Sequence, residues 1–417
     1  MRSLWNDAEA AARTAAAGAG PAARDLALRV YTSRLIGQEP DLVLHGGGNT
    51  SVKIDGQDGR VINVKGSGWD LGTIEAPGLP ALKLAPLLEA RKGRRLSDPE
   101  MVTLLRRNML DASGPNPSVE TLLHAFLPAK YVDHTHSAAA LAIANQPDAA
   151  ELARTVYAKR LAVVPYVMPG YDLAITAAAI FDEQDDGCEG LFLVNHGLFS
   201  FHDDPRVSYE RILGFTTECE DFLARNGAAL PPAEPTRTPD PAVSGPVLEG
   251  LGSALRRDAA FASSIAFDVR ANSSIDAFLA LSDFAEVAGR GTVTPDHVIR
   301  LKPKPLVGQA AYSAREWSRA VDSFAQDYAA YFDRHASQAD EPKTMLDAMP
   351  RLVLVEGLGI VGIGRNAKDA KICADLAEQA VRVMLSAERL GRFAPIGERD
   401  LFNMEYWSLE QTKLKAA

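Results

Sequence analysis

The sequence predicts an α/β protein of two domains whose first sheet opens antiparallel. Three observations carry this. The chain has 417 residues, too many for one ordinary hydrophobic core. Segments with helical periodicity are interspersed with short β-rich runs, and the three such runs between Asp41 and Val64 are spaced as hairpins, not as βαβ units. A stretch from Pro231 to Pro246 holds six prolines and reads as a linker. The expected division is therefore a larger domain over 1–230, a linker over 231–246, and a smaller α/β domain with a C-terminal tail over 247–417.

The elements follow in order. Residues 4–17 are Ala-rich and helical up to a Gly18-Ala19-Gly20-Pro21 breaker, and residues 21–35 form a second helix. Residues 41–44 read as a strand leading into the turn Gly46-Gly47-Gly48-Asn49 and out into a strand at Ser51-Val52-Lys53-Ile54. Asp58-Gly59 is a hairpin signal before the strand at 61–64. Residues 98–110 read as a helix opened by Ser97 and Asp98 with Pro99 in its first turn. Residues 118–127 read as a helix capped by Ser118. Residues 131–136 form a short strand before an Ala-rich helix, and 191–194 a buried strand running into Asn195-His196-Gly197. A long helix covers 205–224, and Phe402, Tyr406 and Trp407 make the tail a docking segment.

Composition narrows the function classes. With 47% hydrophobic and 24% charged residues the chain is globular. A net charge of −10 argues against non-specific binding to nucleic acid or an anionic membrane, while leaving room for a local basic pocket. Cys188, Cys219 and Cys373 are far apart and odd in number, so no disulfide framework is expected. Asp7 and Glu9 interrupt the N-terminus, which lacks the apolar core of a signal peptide. No apolar run reaches the roughly 18 residues that a membrane helix needs. A cytoplasmic location is the expectation.

His134-Thr135-His136 carries the clearest chemistry. On a strand, residues two apart share a face, so both imidazoles can converge on one ion. A catalytic zinc site has three protein ligands and an open position. His196, just past a buried strand and followed by Gly197, is the candidate third ligand. Two histidines on a solvated strand face would read the same way in isolation. Glu120, near a helix start, is the candidate general acid/base; its plainer role would be to complement the helix macrodipole. His124, His202, His297 and His335 have no paired partner and read as structural, and His45 beside the glycine turn is left open.

Two turns rich in small residues, Gly46 to Ser51 and Lys65-Gly66-Ser67-Gly68, together with Ser118 at a helix start, could cradle an anion. Neither matches a P-loop. Gly357-x-Gly359-x-x-Gly362 imitates a dinucleotide fingerprint, yet no acidic residue ends a second strand about twenty residues later, so nucleotide binding is not expected there. An internal repeat is also visible: Leu191 to Leu198 resembles Leu352 to Gly359, with Gly357 matched to His196, and Val61 to Lys65 resembles Val298 to Lys302. The second domain is expected to be a degenerate copy that lost its metal ligand.

Taken in order, Gly48-Asn49-Thr50-Ser51, Lys65 to Gly68, Pro117-Ser118-Val119-Glu120, His134-Thr135-His136 and Asn195-His196-Gly197 resemble the class II aldolase/adducin family over about residues 25–225. With the linker, Lys302-Pro303-Lys304-Pro305 and Met404-Glu405-Tyr406-Trp407, the chain is similar over its length to the aldolase half of bifunctional rhamnulose-1-phosphate aldolase/short-chain dehydrogenase proteins. In those proteins a dehydrogenase domain follows; here the sequence stops at Ala417, so a dehydrogenase activity is not expected of this chain.

The resemblance implies a three-layer α/β/α sandwich with a mainly antiparallel central sheet. It implies Zn2+ or another divalent metal on His134, His136 and His196, proton transfer by Glu120, and phosphate binding by Asn49, Ser67, Gly68 and Ser118. Lys65 departs from the small or apolar residue of the simplest members and would add charge to that pocket. Tyr166 and Tyr171 fall where members supply substrate contacts. The implied reaction is cleavage of a ketose 1-phosphate to dihydroxyacetone phosphate and an aldehyde, by a homo-oligomer acting on a small-molecule sugar phosphate. Alternatives on the same residues are a 4-epimerase, a methylthioribulose-phosphate dehydratase, or a non-catalytic adducin-like binding module.

Overall fold

The computed structural model describes residues 1–407 apart from 19, 57, 58, 185, 186 and 340. Ala19 of the breaker, Asp58 of the hairpin signal and residues 408–417 of the tail lie outside the described residues. The chain divides into two compact units, Met1–Ala144 with Asp148–Phe222, and Asn145–Pro147 with Leu223–Ala417.

In the first unit, β1 (Asn49–Gly56), β2 (Gly59–Val64), β3 (Ala81–Lys83), β4 (Tyr131–Thr135), β5 (Leu161–Val164), β6 (Gly190–Leu193) and β7 (Gly197–His202) form one sheet in the order β3-β2-β1-β4-β7-β6-β5. All neighbours are antiparallel except β5 and β6. Alternation along β4 separates its two faces. On one face Tyr131 donates to Asp25 at 3.1 Å and Asp133 meets Arg29 at 2.5 Å, both from the helix Pro21–Gly37. Ser208, from the helix Pro205–Arg225, also donates to Asp133. On the opposite face His134 stacks on Phe199 of β7 at 4.2 Å, and Phe199 meets His124 of the helix Thr121–Phe126. Helices therefore cover both faces, as an α/β/α sandwich requires.

Three expected elements differ. Residues 41–44 form a turn, because the N–H groups of Leu42 and Val43 bond to the Glu39 carbonyl and that of Gly47 to the Leu44 carbonyl. With these backbone groups satisfied locally, the apolar pair Leu42 and Val43 is buried without joining the sheet. The helix expected from Ser118 starts at Thr121. Ser118 instead closes a preceding turn: its carbonyl accepts from Thr121 N–H and its Oγ from Glu120 N–H, which leaves Glu120 as the N-cap residue. β4 ends at Thr135, so His136 sits just beyond it. The helix Asp98–Arg107 opens with a capping box of Ser97 and Glu100.

In the second unit, β8 (Ala266–Arg270), β9 (Leu306–Gln309), β10 (Leu352–Glu356) and β11 (Gly359–Gly364) run in the order β8-β11-β10-β9. Trp317, Val353, Val355 and Val361 lie at the centre of its core. The Pro-rich stretch ends earlier than its composition implies, because a helix, Pro241–Leu255, begins inside it. Asp240 caps that helix and Pro241 stands in its first turn, where a fixed φ and a missing N–H cost nothing. The tail docks as expected: Phe402 and Tyr406 pack on Tyr328 and Tyr331.

The second sheet repeats half of the first. β8-β11-β10-β9 matches β4-β7-β6-β5 in order and in strand direction, including the parallel pair at its end. The register corrects the alignment read from sequence by one position. Leu193 pairs with Gly197 and Val355 with Gly359, so Gly357 matches Asn195, not His196, and Leu358 takes the histidine's place. The backbone explains this: Asn195 and Gly357 both have positive φ, 55° and 82°, a conformation these residue types tolerate. His134 pairs with Phe199 as Val269 pairs with Val361, so Val269 and Ala271 stand where His134 and His136 do. The other half of the expected repeat fails. Val298 to Leu301 is helical and has no likeness to β2.

Candidate metal centre

The register of β4 sets His134 opposite Asn49 of β1 and Phe199 of β7, at the middle of the sheet. His136 follows at the strand's end. His196 lies in the turn between β6 and β7. That turn is pressed onto β4, since a Cβ on Gly197 (φ 158°) would lie 2.3 Å from the Thr135 carbonyl oxygen. On the other side a Cβ on Gly48 (φ 62°) would lie 2.6 Å from the His134 carbonyl oxygen. Glycine at both places lets two loops close on the strand that carries the histidines.

One ring nitrogen from each of His134, His136 and His196 falls within 4.8 Å of the other two. All three rings are buried. The Nδ1 of His134 donates to the Leu198 carbonyl at 3.0 Å, which leaves its lone pair on Nε2, 3.1 Å from Nε2 of His136. Either a proton or a cation must lie between two nitrogens so placed. His196 Nδ1 and Glu120 Oε1 are buried without a hydrogen-bond partner. Three imidazoles converging on a point beside a carboxylate oxygen fit a divalent cation. A main-chain partner fixing the tautomer of His134 is the usual support of such a ligand.

Glu120 is buried against this cluster, with Oε2 3.5 Å from His134 Nε2 and Oε1 3.6 Å from His196 Nε2. Its Oε2 accepts from Asn49 Nδ2 at 2.6 Å. Asn49 Oδ1 in turn meets His124 Nε2, and His124 Nδ1 lies 2.8 Å from Ser51 Oγ. Burial, with His134 close by, holds the His124 imidazole well below its ordinary pKa, so it is neutral near pH 7.

The residues expected to bind an anion are also adjacent. Gly66 bridges to Pro117, Ser67 N–H bonds to the Asn116 carbonyl, and Ser118 N–H bonds to the Lys65 carbonyl. Asn49 Nδ2 reaches Ser118 Oγ at 3.2 Å, so Asn49, Lys65, Ser67, Ser118 and Glu120 form one connected patch, with Gly68 exposed at its turn. Lys65 Nζ donates to the Gly46 carbonyl at 2.6 Å. Tyr171 is placed differently: its hydroxyl lies 3.1 Å from the carbonyls of both Ala90 and Arg94, which ties it to that loop. Tyr166 is half-buried just past β5. His202 accepts from Asp204 N–H, and His335 pairs with Glu398. Cys188, Cys219 and Cys373 are free.

Two residues beside Glu120 have a different place from the one the sequence suggests: His124, which reads as structural, and Ser51, which reads as part of the glycine-rich turn. A lone histidine on an apolar helix reads as core. The available signal was spacing: Glu120 and His124 are four apart on one helix face, and Asn49 and Ser51 two apart on one strand face.

Comparison with known proteins gives two matches to family models. Residues 28–223 match the class II aldolase and adducin N-terminal domain, and residues 242–414 the second domain of class II aldolases. The chain is 30% identical over 409 residues to the uncharacterized oxidoreductase YuxG of Bacillus subtilis strain 168, covering 93% of this chain and 58% of that protein. It thus spans under two thirds of that relative. A class II aldolase domain from Thermoplasma acidophilum is 36% identical with a TM-score of 0.47, covering 54% of this chain and 99% of that one. The L-fuculose-1-phosphate aldolase of Thermus thermophilus is 18% identical with a TM-score of 0.32, covering 48% and 95%.

Proposed function

Because the chain belongs to the class II aldolase and adducin family, we propose that its first unit is a metal-dependent lyase that cleaves a ketose 1-phosphate, of the rhamnulose-1-phosphate type, to dihydroxyacetone phosphate and an aldehyde. The observation that carries this is the pairing of the three-histidine cluster with Glu120, whose Oε1 is buried, unpartnered and 3.6 Å from His196 Nε2. His134, His136 and His196 would hold a divalent ion, zinc by the character of its ligands. A bound ion supplies Lewis acidity at the substrate's carbonyl and hydroxyl oxygens.

The remaining work falls to side chains of this chain. Glu120 moves the proton at the carbon alpha to the carbonyl, through Oε1. Its burial excludes bulk water from that transfer. Lys65, Ser67, Gly68 and Ser118 hold the phosphate, with Asn49 at the boundary between that subsite and Glu120. Lys65 places a cation beside the glycine turn and favours a dianionic group there. Tyr166 would contact substrate, while the Tyr171 hydroxyl is engaged by main chain. The enzyme acts in the cytoplasm as a homo-oligomer. The oxidoreductase description of the Bacillus relative is not carried over, because Gly357 and Gly359 form a hairpin corner and not a strand-to-helix phosphate loop.

The test is metal content followed by a product assay. Wild type should purify or reconstitute with about one divalent ion per chain, lost in His134→Ala, and should release a triose phosphate from a ketose 1-phosphate. Metal-loaded protein that converts such sugars without releasing triose phosphate would replace cleavage by epimerisation or dehydration. Protein that takes up no metal would favour a binding module. Glu120→Gln should keep its metal and lose turnover by about 10²- to 10⁴-fold.

A further inference from the structure

Behind Glu120 runs a set of buried hydrogen bonds that the proposed reaction does not use. The direction of each follows from what its atoms can do. The carboxylate oxygen Oε2 of Glu120 only accepts, so Asn49 presents its NH2 group there, at 2.6 Å, and its carbonyl oxygen to His124. That carbonyl also only accepts, so His124 carries its proton on Nε2. His124 Nδ1 then accepts from the Ser51 hydroxyl at 2.8 Å. Donors therefore line up from Ser51 through His124 and Asn49, and end on one oxygen of Glu120. The other oxygen, Oε1, has no hydrogen-bond partner and lies 3.6 Å from His196 Nε2.

We propose that His124 is a positioning residue for Glu120: its Nε2–H locks the Asn49 amide with the NH2 group toward the carboxylate, which keeps Oε1 as the one oxygen open to a substrate proton. This rests on the reading of Glu120 as the group that moves the proton. Without the Nε2 donor the amide keeps only the contacts of its NH2 group to Glu120 Oε2 and Ser118 Oγ, and whenever it turns over its oxygen faces Oε2 and repels it. The donors come from two elements, β1 and the helix Thr121–Phe126, which hold Glu120 between them. Packing alone would ask nothing of the ring's tautomer. His124 already has an edge contact with Phe199, and an apolar ring would serve there equally well.

The first readout needs no substrate. In full-length protein labelled with 15N-histidine, long-range proton–nitrogen correlation spectra should show His124, identified by its loss in His124→Gln, as the Nε2–H tautomer. An Nδ1–H or doubly protonated ring overturns the proposal. The second readout compares variants loaded to equal metal content on the ketose 1-phosphate that wild type cleaves. His124→Phe should lower kcat roughly tenfold to a hundredfold with KM within about twofold. His124→Gln, whose amide can donate to the same oxygen, should recover most of that loss. Unchanged kcat in His124→Phe, or a loss confined to KM, also overturns it. Should His124→Phe not fold, equal loss in His124→Gln and His124→Ala would do so in its place. Turnover surviving Glu120→Gln would remove the proton-transfer reading itself and leave the tautomer result standing.

Discussion

At the scale of single residues, the face of β4 turned away from the histidines is as consequential as the one that carries them. Asp133 and Arg29 are both fully buried and paired at 2.5 Å, with Ser208 completing the carboxylate's partners. Removing one member leaves the other charge buried and alone, at a cost of about 3–5 kcal/mol. Asp133→Asn should lower the unfolding free energy of the first unit, read from urea denaturation, by that much, and Arg29→Met with Asp133→Leu should recover most of the loss. A single variant as stable as wild type would show that the pair is already compensated. The pair His134 and His136 was legible because β4 reads as a strand and i, i+2 spacing fixes a shared face. The Arg29–Asp133 pair was not, since nothing local in the sequence joins residues so far apart. His124 escaped for the same reason: its meaning comes from Asn49 and Ser51 on another element.

At the scale of elements, two close contacts can be tested. Lys53 of β1 sends its buried Nζ to the carbonyls of Leu127 and Ala129, past the end of the helix Thr121–Phe126. Burial draws its pKa from 10.5 down to about 7. Between those values the unfolded chain binds a proton that the folded chain lacks, so this site's contribution to stability rises with pH across that window. Below about pH 7 both forms are protonated and the folded one carries a buried charge. Urea unfolding at roughly pH 6 and roughly pH 9 should therefore show wild type gaining stability relative to Lys53→Met as pH rises. A constant difference would count against a depressed lysine. Gly197→Ala forces a methyl group to within 2.3 Å of the Thr135 oxygen unless the hairpin moves. Since that hairpin carries His196, metal affinity by chelator competition should fall by roughly tenfold or more while the protein stays folded. The hairpins and long helices were readable from periodicity and turn residues. The turn at 41–44 was not, because a short apolar run does not say whether its backbone bonds to a neighbour or to itself.

At the scale of the whole molecule, the chain has two sheets and one histidine cluster among its described residues. No helix among them is long and apolar enough to cross a membrane. A ligand that binds only the folded first unit stabilises that unit, by about 2.7 kcal/mol at a hundredfold excess over Kd. Calorimetry with and without a chelator should shift the transition of the first unit and leave that of the second in place. A common shift would mean that the two unfold as one. The two-unit plan was legible from length and the proline run, whereas the resemblance between the units needed strand register to be placed correctly.

The two half-sheets share a corner though not its side chains: where one has His134, His136 and His196 the other has Val269, Ala271 and Leu358, yet both have a left-handed residue and then a glycine around the corner, Asn195 and Gly197 in one and Gly357 and Gly359 in the other. The bend is thus common to both halves, while the imidazoles belong to one. A half-sheet of this kind with no histidine at these places, as the second unit's is, remains recognisable by how its chain turns.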